Sequence, residues 1–549
     1  MRSWLAARPA APGIPFRLLV GVTGHRTLQD PESIARRVED VLRWLETAVL
    51  PPSPATPVVY TVVSALAEGA DRLVAKVVLE RDSADLRVVL PLEPSEFVKD
   101  FQTDESRAEF VALLERAGEP PYVPPQEVER PEAYAAGGRA LVDRIDLLIA
   151  VWDHEPPRGV GGTATVVEYA RGKRVPMVVV SAVDPDRIEY PPLSKRPSLG
   201  YRVLDRLDLW PGEQREETRL DVLRDEYTRL DAFNRERLQP SRLQSGCERE
   251  RAYPAPAARE VGIGESFADW VLPDFVRADL LASLYQWKYT RLALVVFLAA
   301  AAAVSIAAVV ELYSGSTRWL LFEVGLMSLV LGLVIYARWR RPHDRWISYR
   351  SLAENLRSAP FLALLSARHS ERNLGSDPFA PWFQRAFSEI WSLRPPEPSV
   401  PDDAQLLARF FDDAWIGGQI AYHARASKQF NRRHRIVTLL IYVTFLATFF
   451  SALFDLVLEP KTNVLVLLAI SLPAFGAALS GYRELRQYGL HAERYRRAKN
   501  RLDDIRVGML AEATSEEVMA RAAGAYGAMF EENLDWFGVL EFTDLEIVI

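Results

Sequence analysis

Three stretches of this chain, Leu292 to Val310, Ile436 to Phe454 and Val464 to Tyr482, each run for 19 residues without a charged side chain. About 20 apolar residues in a helix cross the roughly 30 Å hydrocarbon core of a bilayer. A fourth stretch, Trp319 to Tyr336, is broken only by Glu323 near its start, where a long carboxylate side chain can reach the interface. Four transmembrane helices in two pairs are therefore expected. Buried helices of a soluble core are the alternative, and the charged borders of all four runs argue against it.

Lys and Arg flank these runs on one side only. Lys288 and Arg291 precede the first span, Arg338, Arg340, Arg341 and Arg345 follow the second, Lys428, Arg432, Arg433 and Arg435 precede the third, and Arg483 and Arg486 follow the fourth. The two hairpin turns carry only Arg318 and Lys461 against Glu311, Asp455 and Glu459. The positive-inside rule then places both termini and the segment between the pairs in the cytoplasm. Glu311, Glu323, Asp455 and Glu459 are read as solvated acids of the outer turns, with a cation-selective ring as the alternative. The hairpins look duplicated: Tyr336 and Tyr482, Tyr349 and Tyr495, Arg350 and Arg496, and Leu356 and Leu502 are each 146 apart. Small residues, namely Ala299 to Ala303, Gly325, Gly332, Gly476, Ala477, Ser480 and Gly481, suit close helix packing in lipid. Packing within one bundle is favoured over packing between copies.

The remainder is polar, which is why the mean hydropathy of the whole is only −0.04. A chain of 549 residues exceeds one hydrophobic core. The net charge of −7 and pI near 5.7 argue against a nucleic-acid partner. One cysteine, Cys247, excludes an intrachain disulfide or a cysteine zinc site, and the seven histidines show no ligand spacing, so no metal is expected. Residues up to Pro15 lack the apolar core of a secretory signal.

Five apolar runs, Arg17 to Gly21, Val58 to Ser64, Leu86 to Leu92, Ile145 to Trp152 and Pro176 to Ser181, alternate with helical patterns. In the first helix Asp30 caps, Pro31 sits in the first turn, and Ile34, Val38, Val41, Leu42 and Leu45 form one face. Strands alternating with helices predict an α/β Rossmann-like, doubly wound parallel sheet. Such sheets bind ligands beyond the carboxyl ends of their strands. There this sequence places Thr23, Gly24, His25 and Arg26 after the first strand, and Ser64, Glu68, Gly69 and Asp71 after the second. Glu96 follows the third strand, and Asp153 with Gly161, Gly162 and Thr163 follows the fourth. The glycines let backbone N–H groups at a helix N-terminus approach a phosphate, and Arg26 can add a charge-assisted bond. A nucleotide ligand is expected at these residues. Neither GxxxxGK[ST] nor GxGxxG with its later acid is present, which sets aside P-loop ATPase and hydride-transfer chemistry.

The runs Gly21-Val22-Thr23-Gly24-His25-Arg26, Ser64-Ala65-Leu66-Ala67-Glu68-Gly69-Ala70-Asp71, Pro91-Leu92 with Glu96-Phe97 and Asp100-Phe101, and Gly161-Gly162-Thr163 resemble the SLOG superfamily. That superfamily spans cytokinin-activating phosphoribohydrolases, DNA-processing proteins and nucleotide-sensing regions of some channels, and the likeness covers the first third of the chain. The hairpins, with Trp346, Tyr349, Arg350, Ala353 and Glu354 after the first, resemble SLATT domains. These are two-helix membrane effectors of prokaryotic conflict systems. The hydrolase branch carries PGGxGTxxE; here Val166 stands three residues after Thr163, and Glu168, two further on, should face elsewhere. The resemblance therefore implies a sensor more than a hydrolase.

The organisation expected is a tail (1–15), a SLOG-like domain (16–182), a connector with a helix near 213–238 and a flexible loop near 239–260 (183–275), a first two-helix unit (276–400) and a second (401–549). The function expected is a membrane effector in the bacterial inner membrane. It would be a homo-oligomer that answers a nucleotide-derived signal by opening or disrupting the bilayer in antiphage defence. A membrane-anchored nucleotide N-glycosidase, with Glu68 or Glu168 as acid, is the alternative.

Overall fold

The computed structural model describes residues 13–125, 129–156, 161–193, 218–251, 261, 267–313, 317–366, 380–396, 401–457 and 462–540. Gly159 and Val160 of the glycine-rich loop, Glu459 and Lys461 of the second outer turn, and most of the N-terminal tail lie outside the described residues. The chain forms two compact units, each discontinuous in sequence. A sheet unit comprises Met1–Arg196, Glu213–Arg237 and Arg372–Leu393, and a helical unit comprises Pro197–Gly212, Leu238–Glu371 and Arg394–Ile549.

In the sheet unit the strands are β1 (Phe16–Gly24), β2 (Val58–Ser64), β3 (Ala84–Val88), β4 (Leu147–Trp152), β5 (Met177–Ser181) and β6 (Ile188–Glu189). Their order is β3-β2-β1-β4-β5-β6, parallel except for β6. Between them run α1 (Pro31–Trp44), α2 (Ala70–Leu79), α3 (Asp104–Arg116), α4 (Arg130–Val142) and α5 (Thr163–Gly172). Strand β4 is buried along its whole length, as a central parallel strand covered by helices must be. Asp30 caps α1 by accepting from Ser33 N–H, Pro31 begins the helix, and Ile34, Val38, Val41 and Leu42 are buried.

The strand limits shift in ways that matter for the site. Strand β1 runs on to Gly24, three residues beyond the expected Gly21, because Val20 to Gly24 pair with Leu147 to Val151 of β4. The whole Gly-Val-Thr-Gly motif, Gly21 to Gly24, is therefore strand, and the loop starts at His25. Strand β3 lies at 84–88 instead of 86–92; Val88 and Leu90 turn their backbone groups to Tyr122, which continues the sheet past β3. Strand β4 begins at Leu147, since Asp146 uses its carboxylate to accept from Leu19 N–H at the strand's mouth.

Two helices from later in the chain complete this unit. Helix α6 (Arg219–Arg235) lies where a connector helix was expected, and buries Leu220, Leu223, Tyr227, Leu230 and Phe233. Helix α11 (Trp382–Ser392) comes from the stretch between the two hairpins, and buries Trp382, Phe383, Phe387 and Ile390. Its Trp382 ring meets Phe233 of α6 at 5.3 Å between centroids. Each such side chain removed from water contributes about 1.5–3 kcal/mol.

The helical unit contains α7 (Pro240–Arg251), α8 (Leu272–Tyr313), α9 (Thr317–Arg340), α10 (Pro342–Ser366), α12 (Ala404–Phe411), α13 (Gly417–Val457), α14 (Asn463–Arg486), α15 (Tyr488–Ala511) and α16 (Ser515–Leu540). Helix α7 occupies part of the stretch read as a flexible loop. Pro240 begins it, and its Gly246 presses on Val276 of α8, giving an otherwise polar helix a surface to bury. Among the described residues, four helical segments are long and apolar enough to cross a membrane.

The duplication is visible in the backbone. Adding 146 to 317 and 340, the bounds of α9, gives 463 and 486, the bounds of α14. Helix α10 starts at 342 and α15 at 488, again 146 apart. Between each pair sits one residue in the left-handed region, Arg341 (φ 44°) and Gln487 (φ 42°), also 146 apart. The same break recurs at the same place in both halves, which four matched side chains in the sequence only suggested.

Small residues divide into two groups. A Cβ on Gly481 would come within 2.6 Å of Phe297, so that glycine lets α14 approach α8. A Cβ on Gly325 or Gly332 of α9 would meet nothing within 4 Å, so packing within one bundle, expected for all of them, does not account for these two. In the most apolar windows of α13 and α14 only 6% of residues are buried within the chain.

Candidate functional site

Strands β1 and β4 are neighbours in the sheet, yet the chain leaves β1 toward β2 on one side and β4 toward β5 on the other. Their carboxyl ends therefore open a crevice at the topological switch point, where doubly wound sheets bind ligands. A cleft of about 370 Å³ occupies that position. It is the size of a small-molecule site.

Nine of the thirteen residues chosen from the sequence line this cleft: Thr23, Gly24, His25, Arg26, Asp71, Asp153, Gly161, Gly162 and Thr163. His25 continues the β1–β4 ladder by donating its N–H to Val151 O, and its Nε2 lies 3.2 Å from Asp153 Oδ1. Arg26 follows, its guanidinium 5.9 Å from the centre of the Tyr134 ring. Asp153 stays below the ordinary carboxylate range: burial opposes its charge, but the Glu155 N–H and His25 outweigh that.

The other four chosen residues do not line the cleft; three of them hold its walls. Ser64 is fully buried, donates to Asp71 at 3.4 Å and accepts from Leu66 N–H at 2.9 Å. Glu68 accepts from the Ser106 hydroxyl. Gly69 adopts φ +81°, and a Cβ there would meet the carbonyl oxygens of Arg26 and His25 at 2.2 and 2.4 Å. The next residue, Ala70, donates its N–H to His25 O. The Glu-Gly-Ala-Asp-Arg run is thus a bracket for the His25–Arg26 loop. Arg72 fixes the bracket by bonding Leu66 O, Ser106 and Glu109 and covering the Phe101 ring at 4.4 Å. Glu96 is exposed and pairs with Lys99.

Asp71 is the buried titratable group of the cleft. It is 6% exposed, and burial pushes its pKa up to about 7 against the N–H groups of Ala67 and Ala65, the Ser64 hydroxyl and the charge of Arg26. Near neutral pH it is a mixture of acid and carboxylate.

The glycine loop enters α5 with Gly162 as N-cap and no side-chain cap. Gly161 has φ +86°, and a Cβ there would strike Tyr134 at 2.6 Å. At Gly162, which lines the cleft, a Cβ would meet nothing within 4 Å. Glu168 is exposed and off the cleft, whereas Val166 lines it.

Sequence reasoning missed Tyr134, Trp152 and Glu155, which also line the cleft. The Tyr134 hydroxyl is buried without a hydrogen-bond partner. The adjacent Gly137-Gly138 pair was the available signal. A Cβ on Gly137 would lie 2.9 Å from Pro91, and one on Gly138 would lie 2.7 Å from Val166, so α4 packs against the site through its glycines.

In the helical unit, residues 414–536 match the family model of the SMODS and SLOG-associating 2TM effector domain 1, the SLATT class. The matched segment holds α13, α14 and α15 and most of α16, the second copy of the repeat. The matched segment includes two of the four helices that, among the described residues, are long and apolar enough to cross a membrane, and over that segment the chain is similar to a two-transmembrane effector domain. No curated protein matches the chain.

Proposed function

We propose that this chain is a membrane effector. In this reading a nucleotide-derived signal binds the β1/β4 cleft, and the bound state drives the paired helices to open or disrupt the bilayer, as part of a bacterial defence against phage. The observation that carries most weight is the convergence of the His25–Arg26 loop, the glycine-capped start of α5 and Asp71 on one cleft at the switch point. The helix N-terminus and Arg26 suit phosphate oxygens. Asp71, Asp153 and Glu155 outnumber Arg26 there, which suits the hydroxyls and amino groups of a nucleoside more than a bare polyphosphate. The effector role is favoured by the family match and by the SLOG-like motifs. The one-sided Arg clusters favour an inner-membrane protein with termini and sheet unit in the cytoplasm. The open faces at Gly325 and Gly332 favour an oligomer.

Protein reconstituted in liposomes should be tight alone and leak small ions when the correct nucleotide is added. Arg26→Ala should abolish that leak at ligand levels saturating for the parent. Leak that ignores every nucleotide bound by the protein overturns the effector reading.

One observation favours a second reading, a nucleotide hydrolase. Asp71, held near pKa 7 inside the cleft, has the protonation range of a general acid. Neither Glu68 nor Glu168 lines the cleft, so Asp71 replaces them as the candidate. Bound nucleotide recovered intact supports sensing, and released base supports hydrolysis.

A further inference from the structure

The helical unit encloses a second, separate cavity of about 80 Å³, just beyond the ends of the spans that bear the Arg clusters. Helix α8 contributes Ser283, α10 contributes Arg350, α13 contributes Tyr422, α14 contributes Arg486, and α15 contributes His491 and Tyr495. Both copies of the repeat thus meet at this point.

The two arginines are in different electrostatic states. Arg350 is neutralised: its Nη1 lies 2.9 Å from Asp279 Oδ1, it also pairs with Glu354, and it donates to the Tyr422 hydroxyl at 3.3 Å. Arg486 is 7% exposed, its Nε is buried without a hydrogen-bond partner, and among the described residues no carboxylate lies within ion-pair distance of it. Its neighbour His491 is equally buried, with its ring 5.4 Å from that of Phe430. Burial and the charges of Arg486 and Arg494 push His491 down to about 4. A guanidinium whose Nε is buried without a hydrogen-bond partner, and which has the Tyr488 ring 5.7 Å from its central carbon, is stabilised when an anion and further hydrogen bonds meet it. The cavity beside it has room for that anion: its volume corresponds to roughly five waters at about 15 Å³ each, the scale of a tetrahedral oxyanion.

We propose that this cavity binds a phosphate group, held by Arg486 and His491, with the hydroxyls of Ser283, Tyr422 and Tyr495 completing its shell. A planar guanidinium and converging hydroxyl donors match phosphate oxygens. The group arrives either as the headgroup of a phospholipid or as a soluble phosphate. The chemistry is the same, and the site is independent of the β1/β4 cleft.

The test uses the full chain carrying Arg26→Ala, so that the cleft of the sheet unit contributes little, in a phosphate-free maltoside detergent. Thermal unfolding is followed while inorganic phosphate is titrated in one arm and phosphatidylglycerol in mixed micelles in the other. At least one arm should raise the midpoint. Arg486→Gln should need at least tenfold more of the same probe for half the effect, and Arg486→Lys should keep most of the response. A shift with phosphate alone identifies a soluble anion, and a shift only with lipid identifies a headgroup. His491→Gln makes the same comparison should Arg486→Gln fail to fold. No shift in either arm, or variants that respond like the parent, overturns the site.

Discussion

Arg385 and Asp146, 239 residues apart in the chain, form a two-point ion pair inside the sheet unit, with Nη2–Oδ1 at 2.6 Å and Nη1–Oδ2 at 3.1 Å. Their side chains are 3% and 0% exposed. Asp146 also accepts from Leu19 N–H, and Arg385 also donates to Arg17 O and Ala380 O. The pair therefore pins α11 to the amino ends of β1 and β4, the two strands whose carboxyl ends frame the cleft. Because α11 lies between the hairpins in sequence, the chain is committed to the sheet unit before the first span and again between the second and third.

Removing one partner leaves the other charge buried and unpaired. Arg385→Ala should destabilise the sheet unit by about 3–5 kcal/mol, while replacing both partners, Arg385→Met with Asp146→Leu, should recover only part of that loss, because the Leu19 N–H and the Arg17 and Ala380 carbonyls lose these partners as well. Chemical denaturation followed by far-UV circular dichroism checks this. A single variant as stable as the parent would mean that the pair contributes nothing.

The cleft predicts a contrast between residues that touch ligand and residues that hold the walls. Arg26→Ala and Gly162→Val should each weaken nucleotide binding roughly tenfold or more, about 1.4 kcal/mol, without unfolding the unit. The Cβ that Gly162→Val adds meets no atom within 4 Å. Gly161→Val, by contrast, forces a β-branched residue to φ +86° and against Tyr134, and should lower stability as well. Calorimetric titration beside thermal unfolding separates the two effects, and unchanged affinity in both Arg26→Ala and Gly162→Val moves the ligand elsewhere.

Asp71 sets the pH dependence. Its folded pKa of about 7 stands above the unfolded value near 3.9, so the folded chain keeps a proton that the unfolded chain releases. Its contribution to stability is then fully present below about pH 4 and is lost as pH rises to about 7, by at most about 4 kcal/mol. An anionic ligand meets the same trend, since the carboxylate formed above pH 7 repels it. Asp71→Asn should flatten both profiles. A parent whose stability rises between pH 5 and 7, with Asp71→Asn doing the same, contradicts this assignment.

How far these features could be read from the sequence depended on their range. The cleft was legible because its loops sit at strand ends, and a doubly wound sheet sends those ends to one edge whatever the side chains do. The bracketing role of Glu68 and Gly69 was not legible, since a loop residue that props a site and one that touches ligand share the same local pattern. Tyr134 lies on a helix without a clear apolar stripe, so nothing local pointed it at the cleft. Nothing in the run from Ile145 to Trp152 marked Asp146 as a partner for a residue beyond the first hairpin. The repeat was half visible: matched side chains gave the offset, while the left-handed breaks at Arg341 and Gln487 have no shared residue type to announce them.

Topology is testable with single cysteines after Cys247→Ser. Tyr313→Cys and Thr462→Cys, at the hairpin turns, should react with an impermeant reagent added outside intact cells, and Arg340→Cys should react only after permeabilisation. Labelling of Arg340→Cys alone would reverse the orientation drawn from the Arg clusters.

If the cleft controls the helices, coupling must run in both directions. A ligand opens the membrane only by binding the open form more tightly, and moving a population from 1:99 to 99:1 takes about 5.5 kcal/mol of differential binding. Holding the helices closed must then lower ligand affinity by the same factor that ligand favours opening. Phe297 and Gly481 meet where α8 crosses α14, joining the two hairpins. With Cys247→Ser, Phe297→Cys and Gly481→Cys joined by a short cleavable bis-thiol reagent, ligand-induced leak from liposomes should fall. Nucleotide affinity should fall with it, and both should return when the linker is cleaved. A cross-link that abolishes leak but leaves affinity untouched would uncouple the halves. The sheet unit would then be a domain that binds without gating, and hydrolysis in the cleft would be the better account of the chain.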